Sequence, residues 1–168
     1  IEQWNPNMPR TLGGGFVYFS KLNALVWGER QLPEVDYSQK VSSSVETIGR
    51  YVASLIEDGA CLQMGIGVIP DQVLKNLVHH KDLGIHTEML SDGVIPLLEK
   101  GVINNSRKKL NIGRSVIGFM VGTRKLYDFV HDNPSIREMD ISYVNDATNI
   151  RKNPRATAIN SAIEIDLT

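Results

Sequence analysis

A single cysteine, Cys61, among 168 residues excludes an intrachain disulfide. The four histidines are scattered and complete no zinc-ligand spacing with it, so no metal is expected. No apolar run approaches the roughly 20 residues that a bilayer-spanning helix needs. The opening stretch, IEQWNPNMPRT, lacks the basic region and apolar core of a secretory signal. Charge of one sign is missing too. Eighteen Lys and Arg against 19 Asp and Glu leave a net charge of −1, without the basic surplus of a general nucleic-acid binder. These absences predict a soluble, intracellular protein, cytoplasmic or, in a eukaryote, mitochondrial, with neither nucleic acid nor membrane as a partner. What is present is ordinary: 42% hydrophobic and 22% charged residues, enough for one buried core. Aromatics are scarce at 7% and glycines number 14, so turns of special backbone geometry matter.

Residues 1–37 read differently from the rest. Pro6, Pro9, Pro33 and the run Gly13-Gly14-Gly15 surround two β-like pieces, FVYFS and ALVW, with no helix, as at the end of a preceding unit. From Ser42 onward Val45, Ile48, Val52, Leu55 and Ile56 recur at helical spacing. Ser43 and Glu46 form a capping box, and Asp58-Gly59 is the stop. CLQMGIGVIP then reads as a short strand entering a glycine turn, followed by a helix from Asp71 to His80. The alternation continues with a strand at 83–89, a short helix from Val94 to Lys100 beginning near Asp92, a buried strand from Ser115 to Val121 and a helix from Arg124 to Asp132. MDISYV and TAINSAIEIDLT follow, the latter alternating as a strand does. Strands alternating with helices predict an α/β fold with a largely parallel sheet and flanking helices.

Three features could carry chemistry. The turn Gly65-Ile66-Gly67 lies between a strand and a helix, where glycines admit a close ligand and helix N–H groups face an anion; a plain tight turn has the same pattern. Pro70 stands where a dinucleotide fingerprint needs glycine. Glu88 lies near the carboxyl end of its strand, where ligands of open α/β sheets gather, and is either a catalytic carboxylate or a solvated loop residue. His86 shares its strand face and is either a base, an orienting group or a satisfied structural histidine. The clusters Arg107-Lys108-Lys109, Arg124-Lys125 and Arg151-Lys152 read as solvated surface with phosphate binding as the alternative. Glu164 and Asp166 fall on one strand face by alternation, and Cys61 reads as a small core residue.

Taken together, LIEDGACLQMGIGVIPDQVL, DLGIHTEMLSDGV and FMVGTRKLYDFV closely resemble the acetyl-CoA hydrolase/transferase family, as do NPNMPRT and INSAIEIDLT at the two ends. The resemblance implies part of a two-domain CoA-transferase fold. Residues 1–37 would be the end of the N-terminal domain and linker, and 38–168 the first half of the C-terminal domain. A family S-G-x-G-G segment would lie beyond Thr168. Tyr18 departs from the family, whose members usually carry histidine there. By residue-for-residue match Glu88 is the nucleophile implied, and Gly65 and Gly67 the implied CoA-binding and oxyanion donors. The implied reaction moves CoA between a short-chain acyl-CoA and a small carboxylate of the acetate, butyrate or 4-hydroxybutyrate type, through a glutamyl-CoA thioester; the alternatives are an acyl-CoA hydrolase using the same glutamate and a non-catalytic CoA-binding fragment. It implies coenzyme A thioester as substrate, no permanently bound cofactor, and a homo-oligomer.

Overall fold

The computed structural model describes residues 2–38, 41–162 and 164–167. In chain order the elements are β1 (Glu2–Trp4), β2 (Leu25–Trp27), α1 (Ser43–Ser54), β3 (Cys61–Met64), α2 (Val68–Lys75), β4 (Gly84–Leu90), α3 (Ile95–Glu99), β5 (Ser115–Met120), α4 (Arg124–Val130), β6 (Ile136–Glu138), α5 (Ile141–Val144), α6 (Ala147–Lys152) and β7 (Ala156–Ile159). Short 3₁₀ turns occupy Phe19–Lys21 and Asp92–Val94.

Five strands form one all-parallel sheet in the order β6-β5-β4-β3-β7, and β1 pairs with β2 in a separate parallel ribbon. The chain steps from β3 to β6 in one direction, then returns to lay β7 on the far side of β3. Parallel crossovers are right-handed, so this reversal sends α2, α3 and α4 to one face and α5 and α6 to the other. Leu62, Ile85 and Ile117 of the central strands are fully buried and join Val73, Leu74, Leu77, Ile95, Leu126 and Val130 in one core. Burial on both faces explains why β3, β4 and the first half of β5 read as apolar runs; beyond Ile117 the predicted buried strand opens, and Phe119 is exposed.

Helix α1 rides on α2 rather than on the sheet. Its buried residues are Gly49 and Ala53, while Ile48 and Leu55, placed on the buried stripe by periodicity, are exposed. A Cβ on Gly49 would stand 2.8 Å from Gln72 Cβ, so the contact is one of close backbone approach. Its N-cap is Ser42, accepting from the Val45 N–H, one residue before the predicted box. Helix α2 begins three residues earlier than predicted, at Val68. Gly67, with φ +111°, breaks the strand and caps the helix, and Pro70 fits the first turn because its missing N–H would have no helical partner.

Towards the ends the sequence pattern misleads. FVYFS forms no strand, and Phe16, Val17, Tyr18 and Phe19 are all exposed. Residues 12–14 instead run along β6, with Gly14 N–H donating to Glu138 O at 2.7 Å and Glu138 N–H to Leu12 O at 2.9 Å. TAINSAIEIDLT is a strand only as far as Ile159, so Glu164 and Asp166 share no strand face; Ile163 lies outside the described residues. Among the described residues no helix is long and apolar enough to cross a membrane.

Candidate active site

The sheet order places a topological switch point between β3 and β7, where the chain leaves in one direction and returns in the other. Crevices at such points, outside the carboxyl ends of the strands, are where open α/β sheets bind ligands. The glycine turn occupies this position. Gly65 donates its N–H to Ile159 O at 2.8 Å, closing β3 onto β7, and a Cβ there would meet Ile159 O and Asn160 Oδ1 at 3.1 Å. Its N–H is therefore used inside the sheet. Gly67 differs: its φ of +111° suits only glycine, and nothing lies within 4 Å of where a side chain would begin. The turn thus has a tight side at Gly65 and an open side at Gly67, followed by the first turn of α2.

The adjacent strand carries Glu88. β3 and β4 pair in register from Cys61↔Gly84 and Leu62↔Ile85, and counting on brings Gly65 level with Glu88. Between them the Thr87 hydroxyl takes over from the ladder, accepting from Met64 N–H at 2.9 Å and lying 3.0 Å from Met64 O. Glu88 is half-buried on the α5 side, beside Gly118, where an added Cβ would stand 3.0 Å from Glu88 O. Asn145, just past α5, donates Nδ2–H to Glu88 Oε2 at 2.8 Å. One carboxylate oxygen is thereby held by an amide.

His86 is buried on the same face, with Nε2 2.8 Å from Val144 O and Nδ1 3.5 Å from Asn153 Nδ2. Burial lowers its pKa, the Val144 carbonyl opposes this, and the Lys108 charge adds to the lowering. Of the two sequence readings that make it more than inert, a proton-transfer base is the poorer fit, since both ring nitrogens face protein partners.

Two acidic residues behind the turn escaped the sequence reading. Asp71, in the first turn of α2, is buried and accepts from Ser91 Oγ–H at 2.8 Å, tying that helix to the residue after β4. Asp92 receives the Thr123 N–H at 2.8 Å and the Thr123 hydroxyl at 2.6 Å. Burial raises the Asp71 pKa above its ordinary 3.8, the Ser91 bond lowers it, and Asp92 raises it again. The folded chain therefore keeps this proton to higher pH than the unfolded chain, so ionisation costs stability as pH rises. Asp71→Asn retains an acceptor for Ser91 without the buried charge. Its Tm should exceed wild type at pH 7, and thermal melts should show the advantage shrinking towards pH 4. An unchanged difference across that range would contradict this account.

Parallel strands, a switch-point glycine turn and a held carboxylate make this an α/β unit with a candidate ligand site at the carboxyl ends of its strands. Residues 122–168 match the family model described as acetyl-CoA hydrolase/transferase C-terminal domain. Over 99% of its length the chain is 47% identical to 4-hydroxybutyrate coenzyme A transferase of Clostridium kluyveri, covering 39% of that protein. Two solved structures superpose closely. The 4-hydroxybutyrate CoA-transferase of Porphyromonas gingivalis gives a TM-score of 0.91 at 42% identity, over 98% of this chain and 42% of that one. RipA of Yersinia pestis gives 0.90 at 37%, over 98% and 38%. The chain is thus similar to the acetyl-CoA hydrolase/transferase family, by the family model over residues 122–168 and by these relatives over nearly its whole length, and it spans about two-fifths of their length.

Proposed function

We propose that this chain is the nucleophile-bearing part of a CoA-transferase that moves CoA between a short-chain acyl-CoA and a small carboxylate of the acetate, butyrate or 4-hydroxybutyrate type. The observation that carries the reading is Glu88: half-buried at the carboxyl end of β4, with Oε2 held by Asn145, level by register with Gly65 of the switch-point turn. With Oε2 occupied, Oε1 is the attacking oxygen. It adds to the thioester carbonyl, and the tetrahedral oxyanion collapses to a mixed anhydride with loss of CoA thiolate. The thiolate then attacks the Glu88 carbonyl, releasing the first carboxylate and leaving a glutamyl-CoA thioester. A second carboxylate attacks that thioester, and the departing thiolate takes the acyl group from the new anhydride, restoring Glu88. Each step exchanges one activated acyl bond for another, so no ATP is consumed.

Each of these additions generates an oxyanion, for which preorganised N–H donors can contribute about 3–4 kcal/mol each. Because Gly65 is committed to Ile159, the donor role falls to Gly67, with Gly65 supplying the close approach. Coenzyme A thioester is then a substrate and no resident cofactor enters the scheme. The single buried cysteine suits a reducing compartment, the cytoplasm or a mitochondrial matrix. The exposed Trp4, Phe16, Phe19 and Trp27 support a homo-oligomeric or otherwise covered surface in the complete protein.

The test is the full-length protein assayed with acetyl-CoA, with and without butyrate or 4-hydroxybutyrate. Formation of the new acyl-CoA, dependent on the acceptor, is expected; thiol release needing no acceptor would make it a hydrolase instead. The 168-residue chain alone should show little or no turnover, since the reading places it as one part of a larger site.

A further inference from the structure

His86 and Glu88 stand on the same face of β4, and each grips a neighbouring residue at the end of α5. His86 takes Val144 O, and Glu88 takes the side chain of Asn145. The Val144 carbonyl belongs to the peptide group whose nitrogen is that of Asn145, so holding the oxygen fixes the plane from which Asn145 departs. We propose that His86 is a positioning residue for the nucleophile: its Nε2–H holds the Val144 carbonyl and so sets the amide that orients Glu88. This rests on the reading of Glu88 as the nucleophile.

The surroundings specify the ring's role. A carbonyl opposite Nε2 requires that nitrogen to carry the proton, leaving Nδ1 as an acceptor. Asn153 is turned to match, with Oδ1 3.4 Å from the Lys109 N–H and Nδ2 facing Nδ1. The Tyr143 ring lies 6.4 Å from the imidazole, centre to centre, and limits tilting. Every contact of the imidazole therefore favours one tautomer in one orientation. α5 is also held by the buried Val144, by Asn111 Nδ2–H donating to the Tyr143 hydroxyl at 2.9 Å and by the Asp140 cap, but it is His86 that holds the carbonyl of the peptide leading into Asn145.

A nucleophile displaced by about 1 Å can lose on the order of 100-fold in rate. In the full-length protein His86→Asn, which cannot place a donor where Nε2 stood, should lower kcat roughly 10- to 100-fold with KM for acyl-CoA changed less than about threefold. His86→Gln, whose longer amide reaches the Nε2 position, should recover most of that loss. Because His86 acts through Asn145, His86→Asn combined with Asn145→Ala should be no slower than Asn145→Ala alone. Three results would each overturn the inference: kcat near wild type for His86→Asn, a Gln variant no better than Asn, or losses that multiply in the double variant. Glu88→Gln, run in parallel, separates the two ideas. If it turns over normally, the nucleophile reading fails; if it is inactive while His86→Asn is normal, the positioning role alone fails.

Discussion

In the full-length protein Glu88→Gln should fold normally and transfer no CoA. The substitution keeps the side-chain length and an amide oxygen for Asn145 to donate to, so the contact at 2.8 Å survives. What it removes is the anionic oxygen that forms the covalent bond, and loss of a nucleophile can cost on the order of 10⁶-fold where binding and oxyanion contacts remain intact. Glu88→Asp keeps the charge but withdraws it by one methylene, and on the order of 100-fold is expected from misplacement near 1 Å. Incubating wild type with acyl-CoA and no acceptor should trap the thioester, and borohydride reduction with peptide mapping should place the modification at Glu88. Modification elsewhere, or near-normal transfer by Glu88→Gln, would reject the assignment. The half-buried setting of Glu88 supports a stable intermediate, because water that reached the thioester would hydrolyse it.

Much of this arrangement is legible from local pattern. The β3–turn–α2 unit and the placement of Glu88 near a strand's carboxyl end follow from apolar runs punctuated by Gly65, Gly67 and Gly93. Such runs have the same appearance whatever their neighbours. What pattern hides is pairing over distance. Asn145 stands 57 residues from the carboxylate it holds, in a turn with no periodicity to mark it. The tie from Asp71 to Ser91 is equally silent in the sequence, since an Asp in a first helical turn reads as a dipole partner at the surface. The availability of an N–H is also a tertiary property: Gly65 and Gly67 look alike in the motif, and only the arrival of β7 consumes one of them. The apolar alternation runs on past Ile159 while β7 ends there, so side-chain pattern alone does not set a strand's length.

The basic run at 107–109 shows the point most sharply and leads to the other large effect expected. Arg107 pairs with Asp82 and Lys109 is exposed, as solvated charges do, but Lys108 is only 2% exposed. Its Nζ donates to Ile85 O and Arg114 O, both at 2.7 Å, and its stem passes Gly84, where a Cβ would stand 2.9 Å from Lys108 Cγ. Ladder pairing of β4 with β5 begins only at His86↔Val116. Below it, Lys108 and Asn105, which accepts the Ile85 N–H at 2.9 Å, serve the backbone groups in place of a strand. Lys108→Ala would take the donor from the buried Ile85 carbonyl and the part-buried Arg114 carbonyl and empty the space of a four-carbon stem. A net loss of about 3 kcal/mol or more is expected, a large share of a typical domain's stability. Lys108→Met fills the space and removes a costly buried charge, so it should lose less at pH 7. Burial lowers the Lys108 pKa from 10.5 to about 8, so between those values the folded chain binds fewer protons than the unfolded one, and the wild type gains stability as pH rises. The neutral amine still has two hydrogens for its two carbonyls. The Tm deficit of Lys108→Met should therefore widen from pH 7 to pH 10 in melts of the full-length protein. A deficit that stays constant, or an Ala variant as stable as wild type, would show that Lys108 does not clip the start of β4 to the start of β5.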